Sequence, residues 1–327
     1  MRATSLGVSR VFVITLLAAA TVLWSSATAA DSPQDASMKQ LLKSARKDTS
    51  LRDTVRIHVE SNLDKKMHLL EIYGRGIGIL NGEGQFTLEP KDVVAAIDLL
   101  LGAKFSDMPE RFAYPDKDED EEMPVKLYRV ITVTVGGTSK TVIQDNKGPK
   151  SEPFAKLTVD LMSLCRKPAE TLVTASNLAD GLEKVAQGTL APETLTVIVN
   201  APELRSLESQ EGQGWQLTVQ HGQIVLTSVT IAHGINQVSK RTLGKYEAQK
   251  LAQEFLKADV ADLPSNINTP GYTQLTVAVL NQKARTMART FAGEPEQDAK
   301  EAAASFNRVR EMLFAMYEKG VKARKAD

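Results

Sequence analysis

The densest group of ionisable side chains is the acidic run at 116–122, where six of seven residues are Asp or Glu. Acids at alternate positions could bind Ca²⁺, but Glu121 stands where an EF-hand loop needs glycine, and Leu127 stands where it needs a bidentate glutamate. An EF-hand is therefore excluded. A loose divalent-cation site, a contact for a basic partner and a solvated, self-repelling loop remain open. The candidate partner-contact residues are Asp116, Asp118, Glu119, Asp120, Glu121 and Glu122.

The other residue types that carry chemistry are scattered along the chain. The four histidines are His58, His68, His221 and His233. They show no His-x-x-x-His spacing, and a single cysteine leaves no Cys-x-x-Cys pair, so the sequence predicts no metal site. His58 alternates with Arg56 and Glu60 opposite apolar neighbours, which predicts an exposed strand residue.

Nucleophilic and dinucleotide-dependent chemistry also lack support. Cys165 lies on the apolar side of a helical pattern, which favours a buried small hydrophobe over a nucleophile. No Gly-x-Ser-x-Gly elbow is present. The glycines at 74–78 precede a strand pattern, whereas a dinucleotide loop needs a helix N-terminus there. We therefore predict no catalytic residue, no cofactor and no enzyme.

The first residues predict export. Residues 1–10 contain two arginines and no acid, residues 11–24 are mostly apolar, and Ala27-Thr28-Ala29 is a cleavage pattern of small residues. The apolar run is shorter than the about 20 residues that span a bilayer, so a retained anchor is the weaker alternative. We expect a signal peptide at 1–29, no transmembrane anchor after its cleavage, and a periplasmic or secreted protein.

Charge and length limit the class further. The chain has 40 basic and 40 acidic side chains, and removal of the two arginines in the leader leaves 38 basic ones. A protein with this charge balance does not attract nucleic acid. Roughly 295 mature residues can form two domains. One cysteine excludes an intramolecular disulfide framework, so the cores must hold by packing.

A repeat organises the chain. Residues 128–141 alternate like a strand and then turn at Gly136-Gly137, and residues 272–285 repeat this pattern with a predicted turn at Asn281-Gln282. One face of each strand is apolar. Its residues are Ile131, Val133 and Val135 in the first copy and Leu275, Val277 and Val279 in the second.

The elements around these hairpins follow one order. Each half reads helix, three strands, helix, two strands, helix, and the closing helices share apolar spacing. Their apolar residues are Phe154, Leu157, Leu161 and Leu164, and Phe306, Val309, Leu313 and Met316. The predicted fold class is α+β, with two tandem copies of an antiparallel sheet and helices packed on one face.

The composition predicts where the parts of the chain begin and end. A flexible N-terminus at 30–36 follows the leader, and a basic, frayed tail at 320–327 ends the chain. The domains between them are repeat domain 1 at 37–167, a linker at 168–176 where Pro168 interrupts the helical pattern, and repeat domain 2 at 177–319.

The pattern resembles the emfourin-like family of small protealysin inhibitors. The resemblance lies in the order of the elements, in a helix that ends in a hydrophobe-Pro corner, and in the strand Tyr-x-x-(Ile/Leu)-Thr-Val at 128–133 and 272–277. It implies a non-catalytic module that binds a protease or another envelope protein through loops or an open strand edge, but it identifies no inhibitory residue. The alternative is a structural or assembly scaffold of the cell envelope, and a homodimer is left open.

Overall fold

In the computed structural model, the described residues are 37–62, 67–112, 128–145, 148–203, 213–230, 234–269, 273–289 and 297–324. They form two sheets of seven strands each, with helices against the apolar face of each sheet. The predicted α+β class with two tandem sheets is therefore confirmed. Among the described residues, no helix is both long enough and apolar enough to cross a membrane.

The first repeat begins with two helices, has a third before its hairpin, and ends with a fourth after it. Its elements are α1 (Met38–Lys47), α2 (Thr49–Arg52), β1 (Arg56–Ser61), β2 (His68–Tyr73), β3 (Ile77–Leu80), β4 (Gly84–Thr87), α3 (Pro90–Gly102), β5 (Tyr128–Val135), β6 (Thr138–Asp145) and α4 (Glu152–Arg166). The predicted linker contains a 3-10 turn, Pro168–Thr171, and the two-residue strand β7 (Val173–Thr174).

The second repeat follows the same order. Its elements are α5 (Leu178–Gln187), β8 (Leu195–Glu203), β9 (Gln213–Gln220), β10 (Gln223–Thr230), β11 (Gly234–Thr242), α6 (Lys245–Lys257), β12 (Asn266–Asn268), β13 (Thr273–Val279), β14 (Gln282–Arg289) and α7 (Gln297–Arg324). The last helix continues through Gly320 to Arg324, so the fraying predicted from Gly320 onward is not seen in the described residues.

The strand orders of the two sheets match. Sheet 1 has the order β6-β5-β1-β2-β3-β4-β7, and sheet 2 has the order β11-β10-β9-β8-β13-β14-β12. Read from its other end, sheet 2 places β14, β13, β8, β9, β10 and β11 where sheet 1 has β6, β5, β1, β2, β3 and β4. The predicted repeat is thus a repeat of topology.

Each repeat has one strand more than the sequence predicted between its first two long helices. The fourth strands are β4, which pairs with β3, and β11, which pairs with β10. β4 has four residues and includes a glycine, and the end of β11 is polar, so neither shows the apolar alternation that predicts a strand. Pairing with a neighbouring strand makes them extended.

The two central hairpins differ in their turns. Gly136 and Gly137 join β5 to β6 with φ values of 58° and 94°, which only glycine adopts without strain. In the second repeat, Val279 pairs with Gln282, so the turn consists of Leu280 and Asn281. The predicted turn at Asn281-Gln282 is one residue too late, and Leu280 takes the positive φ of 56°.

A parallel contact borders each hairpin on its outer side. β12 pairs in parallel with β14, with Asn266 opposite Met287. In the first repeat, Arg111 makes an isolated parallel bridge to Ile143. Each segment lies just after the proline that ends the corner following the preceding helix. This shared corner therefore directs the chain along the same sheet edge in both repeats.

The helices cover one face of each sheet. In the first core, the apolar stripe of α4 packs with the inward side chains of β1 and β5, and in the second core α7 packs with β8 and β13 in the same way. The fully or nearly fully buried stripe residues are Phe154, Leu157 and Leu161 in α4 and Phe306, Val309 and Leu313 in α7. The predicted stripes are therefore confirmed at these positions, while Leu164 is only partly buried.

Candidate functional site

Charged side chains occupy the face of sheet 1 that points away from its helices, which we call the open face. Strand alternation places Ile57 and Ile72 in the core, so their neighbours point to the open face. The residues with polar groups on the open face of β1 and β2 include Arg56, His58, Glu60, Glu71 and Tyr73. Glu71 and Tyr73 are nevertheless buried, 9% and 5% exposed, because the second repeat packs over them.

The carboxylate of Glu71 is the centre of this group. It accepts a hydrogen bond from Nη2 of Arg56 at 2.6 Å and lies 3.3 Å from Nδ1 of His58. The hydroxyl of Tyr73 donates to its other oxygen at 2.7 Å. The same hydroxyl lies 3.0 Å from Nδ1 of His221, which therefore donates to it. We call Arg56, His58, Glu71, Tyr73 and His221 the inter-repeat cluster.

The charges of the cluster follow from burial and its ion pairs. Burial alone raises the pKa of Glu71, but the Arg56 guanidinium and the contact with His58 outweigh it and hold that pKa well below the usual range. Burial and then Glu71 raise the pKa of Tyr73 well above its ordinary value. Burial, followed by the nearby Arg56, lowers the pKa of His221 to about 3. Glu71 is thus ionised, while Tyr73 and His221 are neutral.

His58 and Glu60 extend the cluster along β1. Burial lowers the pKa of His58, but its contacts with Glu60 and Glu71 raise it by more, so the net pKa lies above the ordinary value. His58 is therefore a partly buried, paired residue, and the prediction of an exposed strand position is wrong. The error arose because strand alternation shows which face a residue occupies and not what packs on that face.

The second repeat contributes two segments to this contact. They are the tight turn between β9 and β10 and the 3-10 turn Pro192–Thr194. His221 and Gly222 form the β9–β10 turn with φ values of 53° and 69°. A Cβ on Gly222 would lie 2.7 Å from Nη2 of Arg75, so the turn lies close against the first repeat. Arg75 also forms an ion pair with Glu193, whose side chain is buried.

A hydrogen bond from a backbone amide to a side chain completes the contact. The amide of Ala191 donates to Oε1 of Gln85 in β4 at 2.8 Å. The Tyr73 and His221 rings are stacked, with centroids 6.4 Å apart, and the Arg56 guanidinium lies over the Tyr73 ring at 5.9 Å. The two repeats therefore meet through specific polar and aromatic contacts, and the described residues from Met38 onward belong to one compact unit.

The corresponding positions of the second repeat carry no charge. The β1–β2 pair Ile57 and Ile72 corresponds to Val197 and Val219 in β8 and β9. The positions equivalent to Arg56, His58, Glu71 and Tyr73 are Thr196, Ile198, Thr218 and Gln220. The charged residues are therefore not needed to build the sheet. This difference between the copies is the sequence signal that could have revealed the cluster.

The edges of the two sheets also differ. In sheet 1, β7 covers β4 through the pairs Gly84 with Thr174 and Gln85 with Val173. In sheet 2, β11 is the terminal strand, and β10 is the only strand that pairs with it in the described part of the chain. β11 is nine residues long. One repeat thus has a covered edge where the other has a long open edge.

The remaining predicted residues are placed as follows. The acidic run at 116–122 and His233 lie outside the described residues. Cys165 is 2% exposed in the first core, as predicted, and burial raises the pKa of its thiol to about 12. His68 begins β2 and is partly buried. Within the described ranges, no three His, Cys, Asp or Glu side chains are grouped to hold a metal ion.

Chemically, the cluster holds one buried carboxylate between a guanidinium and an imidazole and links it through a hydroxyl to a second imidazole. Such a network fixes the geometry of the contact and responds to protonation. Comparisons with protein-family models and with curated proteins find no match for this chain. The emfourin-like resemblance therefore stays a prediction from patterned core positions.

Proposed function

We propose that the chain is an exported, non-catalytic protein-binding module that takes up an extended segment of an envelope protein along β11. The observation that supports this proposal is the open nine-residue edge of sheet 2. An edge strand offers a row of backbone N–H and C=O groups that a partner strand can pair with. Inhibition of a protease by such pairing is the form of binding that the emfourin-like resemblance implies.

The direction of the backbone groups identifies the residues that a partner would meet. The amide of Leu243 donates to the carbonyl of Gly222, so it points toward β10. Because the direction alternates along a strand, the amide of Lys240 points away from β10 and toward the open edge. Lys240 and Arg241 are exposed there, and the Arg241 guanidinium is paired with Glu247 of α6 at 2.8 Å.

The test compares two substitutions at one position. Lys240→Pro removes the outward amide, whereas Lys240→Ala removes the charged side chain and keeps the amide. The mature protein and both variants are used to capture partners from periplasmic extract, and each complex is measured for stoichiometry. A stoichiometric partner that binds wild type and Lys240→Ala but not Lys240→Pro supports strand addition. Equal capture by all three proteins would contradict it.

A scaffold of the envelope is the second candidate. The observation that favours it is the single compact unit to which the described residues of both sheets belong. Self-association of the mature protein without any captured partner would favour the scaffold over the binding module. Loss of that self-association in Lys240→Pro would place the contact between copies at β11.

The acidic run is a separate candidate for partner contact. A neutral Gly/Ser replacement of residues 116–122 removes six acids and should slow association with a basic partner at low salt. Near physiological ionic strength, where the Debye length is about 8 Å, the difference should shrink. If wild type and the Gly/Ser replacement associate at equal rates at both salt concentrations, the acidic run is a solvated loop without a role in binding.

A further inference from the structure

His221 occupies a left-handed backbone conformation that is uncommon for residues other than glycine. Its φ of 53° lies in the left-handed region, which Asn81 and Gly136 adopt in two other hairpin turns. Glycine and asparagine reach this region most easily, and histidine adopts it more often than most other residues do. Residues held in such conformations often mark functional positions. The contacts of the His221 side chain therefore decide what this turn does.

The charged groups around His221 favour the neutral form of its imidazole ring. The cations facing it are Arg56 and His58 from β1 and Lys240 from β11, and the one nearby carboxylate is Glu71 from β2. Glu71 already accepts from Arg56 and Tyr73. Another carboxylate near the turn, Glu193, is paired with Arg75 of the β2–β3 turn.

The ring nitrogens have different roles. Nδ1 donates to the Tyr73 hydroxyl, because the tyrosine proton is already given to Glu71. A further proton must therefore bind at Nε2. The side chain is 24% exposed, so a proton from water can reach the ring. The resulting imidazolium would face three cations with only one shared carboxylate to offset them.

We propose that His221 is a proton-sensitive latch, in which the neutral imidazole holds the β9–β10 turn on the open face of sheet 1 and its protonation releases that turn. This inference goes beyond partner binding and does not depend on it. The latch lets moderate acidity loosen the contact between the repeats while each core stays folded. Its geometric basis is the Tyr73–His221 hydrogen bond and the ring of cations around it.

The direction of the effect follows from proton linkage. The docked state binds fewer protons at His221 than the released state, whose imidazole has the ordinary pKa of 6.5. Docking is thus strongest above that pKa and weakens as the pH falls through it. The opening equilibrium should rise about tenfold between pH 7.5 and pH 5.5. Glu71 stays ionised over this window because its pKa is held low.

His58 acts in the opposite direction within the first repeat. Its raised pKa means that its protonated form strengthens contacts with Glu60 and Glu71, and this contribution is lost as the pH rises through that pKa. No hydrogen bond or ion pair between His58 and the second repeat is found in the described residues. A His58→Gln variant separates this contribution from that of His221.

The amide of Ala191 reports the latch directly, because it donates to Gln85 across the contact. Hydrogen exchange of this amide is measured in the full mature chain at pH 7.5 and 5.5 and corrected for the intrinsic rate. The control is the amide of Leu280, which donates to Thr194 within the second repeat. We expect protection of Ala191 to fall about tenfold while that of Leu280 stays constant. Equal protection of Ala191 at both pH values would overturn the proposal.

Two variants and one titration complete the test. His221→Asn keeps a residue suited to the left-handed turn and removes the titration, so the pH dependence at Ala191 should disappear. His68→Asn, which changes another partly buried histidine, should keep the wild-type response. In wild type, NMR should show the His221 ring neutral in the docked state below pH 6.5. A ring that titrates at its ordinary pKa while Ala191 stays protected would overturn the latch, whatever the variants show.

Discussion

The hydroxyl of Tyr73 lies 3.0 Å from Nδ1 of His221, although 148 positions separate the two residues in the chain. Tyr73 ends β2 of the first repeat, and His221 begins a hairpin turn of the second. Because the same hydroxyl donates to Glu71, it links an imidazole of one repeat to a carboxylate of the other. The second repeat has no charged equivalent of these positions, so the contact serves the pairing of the repeats and not the fold of either.

Glu71→Gln should destabilise the protein by about 3 kcal/mol at pH 7, because Arg56 would remain largely buried without its counter-ion. The free energy of unfolding is measured by denaturant titration. The depressed pKa of Glu71 gives wild type an advantage above the ordinary value of 4.5, and that advantage is lost as the pH falls through the folded-state pKa. The free energies of unfolding of wild type and Glu71→Gln should therefore converge at acidic pH.

The matched control for that substitution is Asp160→Asn, which breaks the exposed pair between Lys156 and Asp160. Exposed helix pairs contribute about 0.3–0.5 kcal/mol, so this variant should remain close to wild type. A Glu71→Gln variant as stable as Asp160→Asn would show that the cluster does not stabilise the fold.

Leu161→Ala and Leu313→Ala should each lower the free energy of unfolding by about 2–5 kcal/mol, the usual range for a truncated core residue. Both leucines are fully buried, one in each core. Val159→Ala on the same helix as Leu161 is the control, because Val159 is 48% exposed and its loss should change stability by no more than about 0.5 kcal/mol. A loss below about 1 kcal/mol for either leucine would contradict a buried helix stripe.

Gly137→Ala should destabilise the first repeat by about 1–2 kcal/mol, since its φ of 94° is unfavourable for a residue with a Cβ. A Cβ there would meet no atom within 4 Å, so the effect comes from the backbone alone. Gly102→Ala is the comparison, because this exposed residue at the end of α3 has equal space and no positive φ. It should be neutral or stabilising by up to about 1 kcal/mol. A Gly102→Ala variant less stable than Gly137→Ala would contradict the predicted turn.

Cys165 should react slowly with a thiol reagent in the native protein and rapidly after unfolding. Its side chain is 2% exposed, and burial together with the nearby Asp92 raises its pKa to about 12, so little thiolate forms at neutral pH. The rate of labelling is followed with and without denaturant. Native labelling as fast as that of the unfolded chain would disprove burial.

Local patterns in the sequence predict most of the fold. The alternation of Ile131, Val133 and Val135 assigns a strand and its inner face, and the spacing of Phe154 and Leu161 assigns a helix stripe. Both are confirmed by burial because side-chain direction within one element depends only on its own periodicity. The same patterns predict the repeat, since two copies under one packing requirement keep the same spacing.

Elements whose conformation depends on neighbours were predicted less well. β4 and β11 carry no clear alternation and become strands because an adjacent strand offers hydrogen-bond partners. The turn between β13 and β14 moved by one residue to Leu280, because the register of the pair decides which residues remain unpaired. Turn composition alone could not predict that shift.

By itself, the sequence determined the two sheets, the helix stripes and the burial of Cys165, because each follows from the order of apolar and polar residues within short segments. Only the tertiary structure decided that Arg56, His58, Glu71 and Tyr73 meet His221. Which residues cover the open face depends on how the second repeat packs on the first, and no periodicity records contacts between residues so far apart in the chain. The candidate site is a product of that packing.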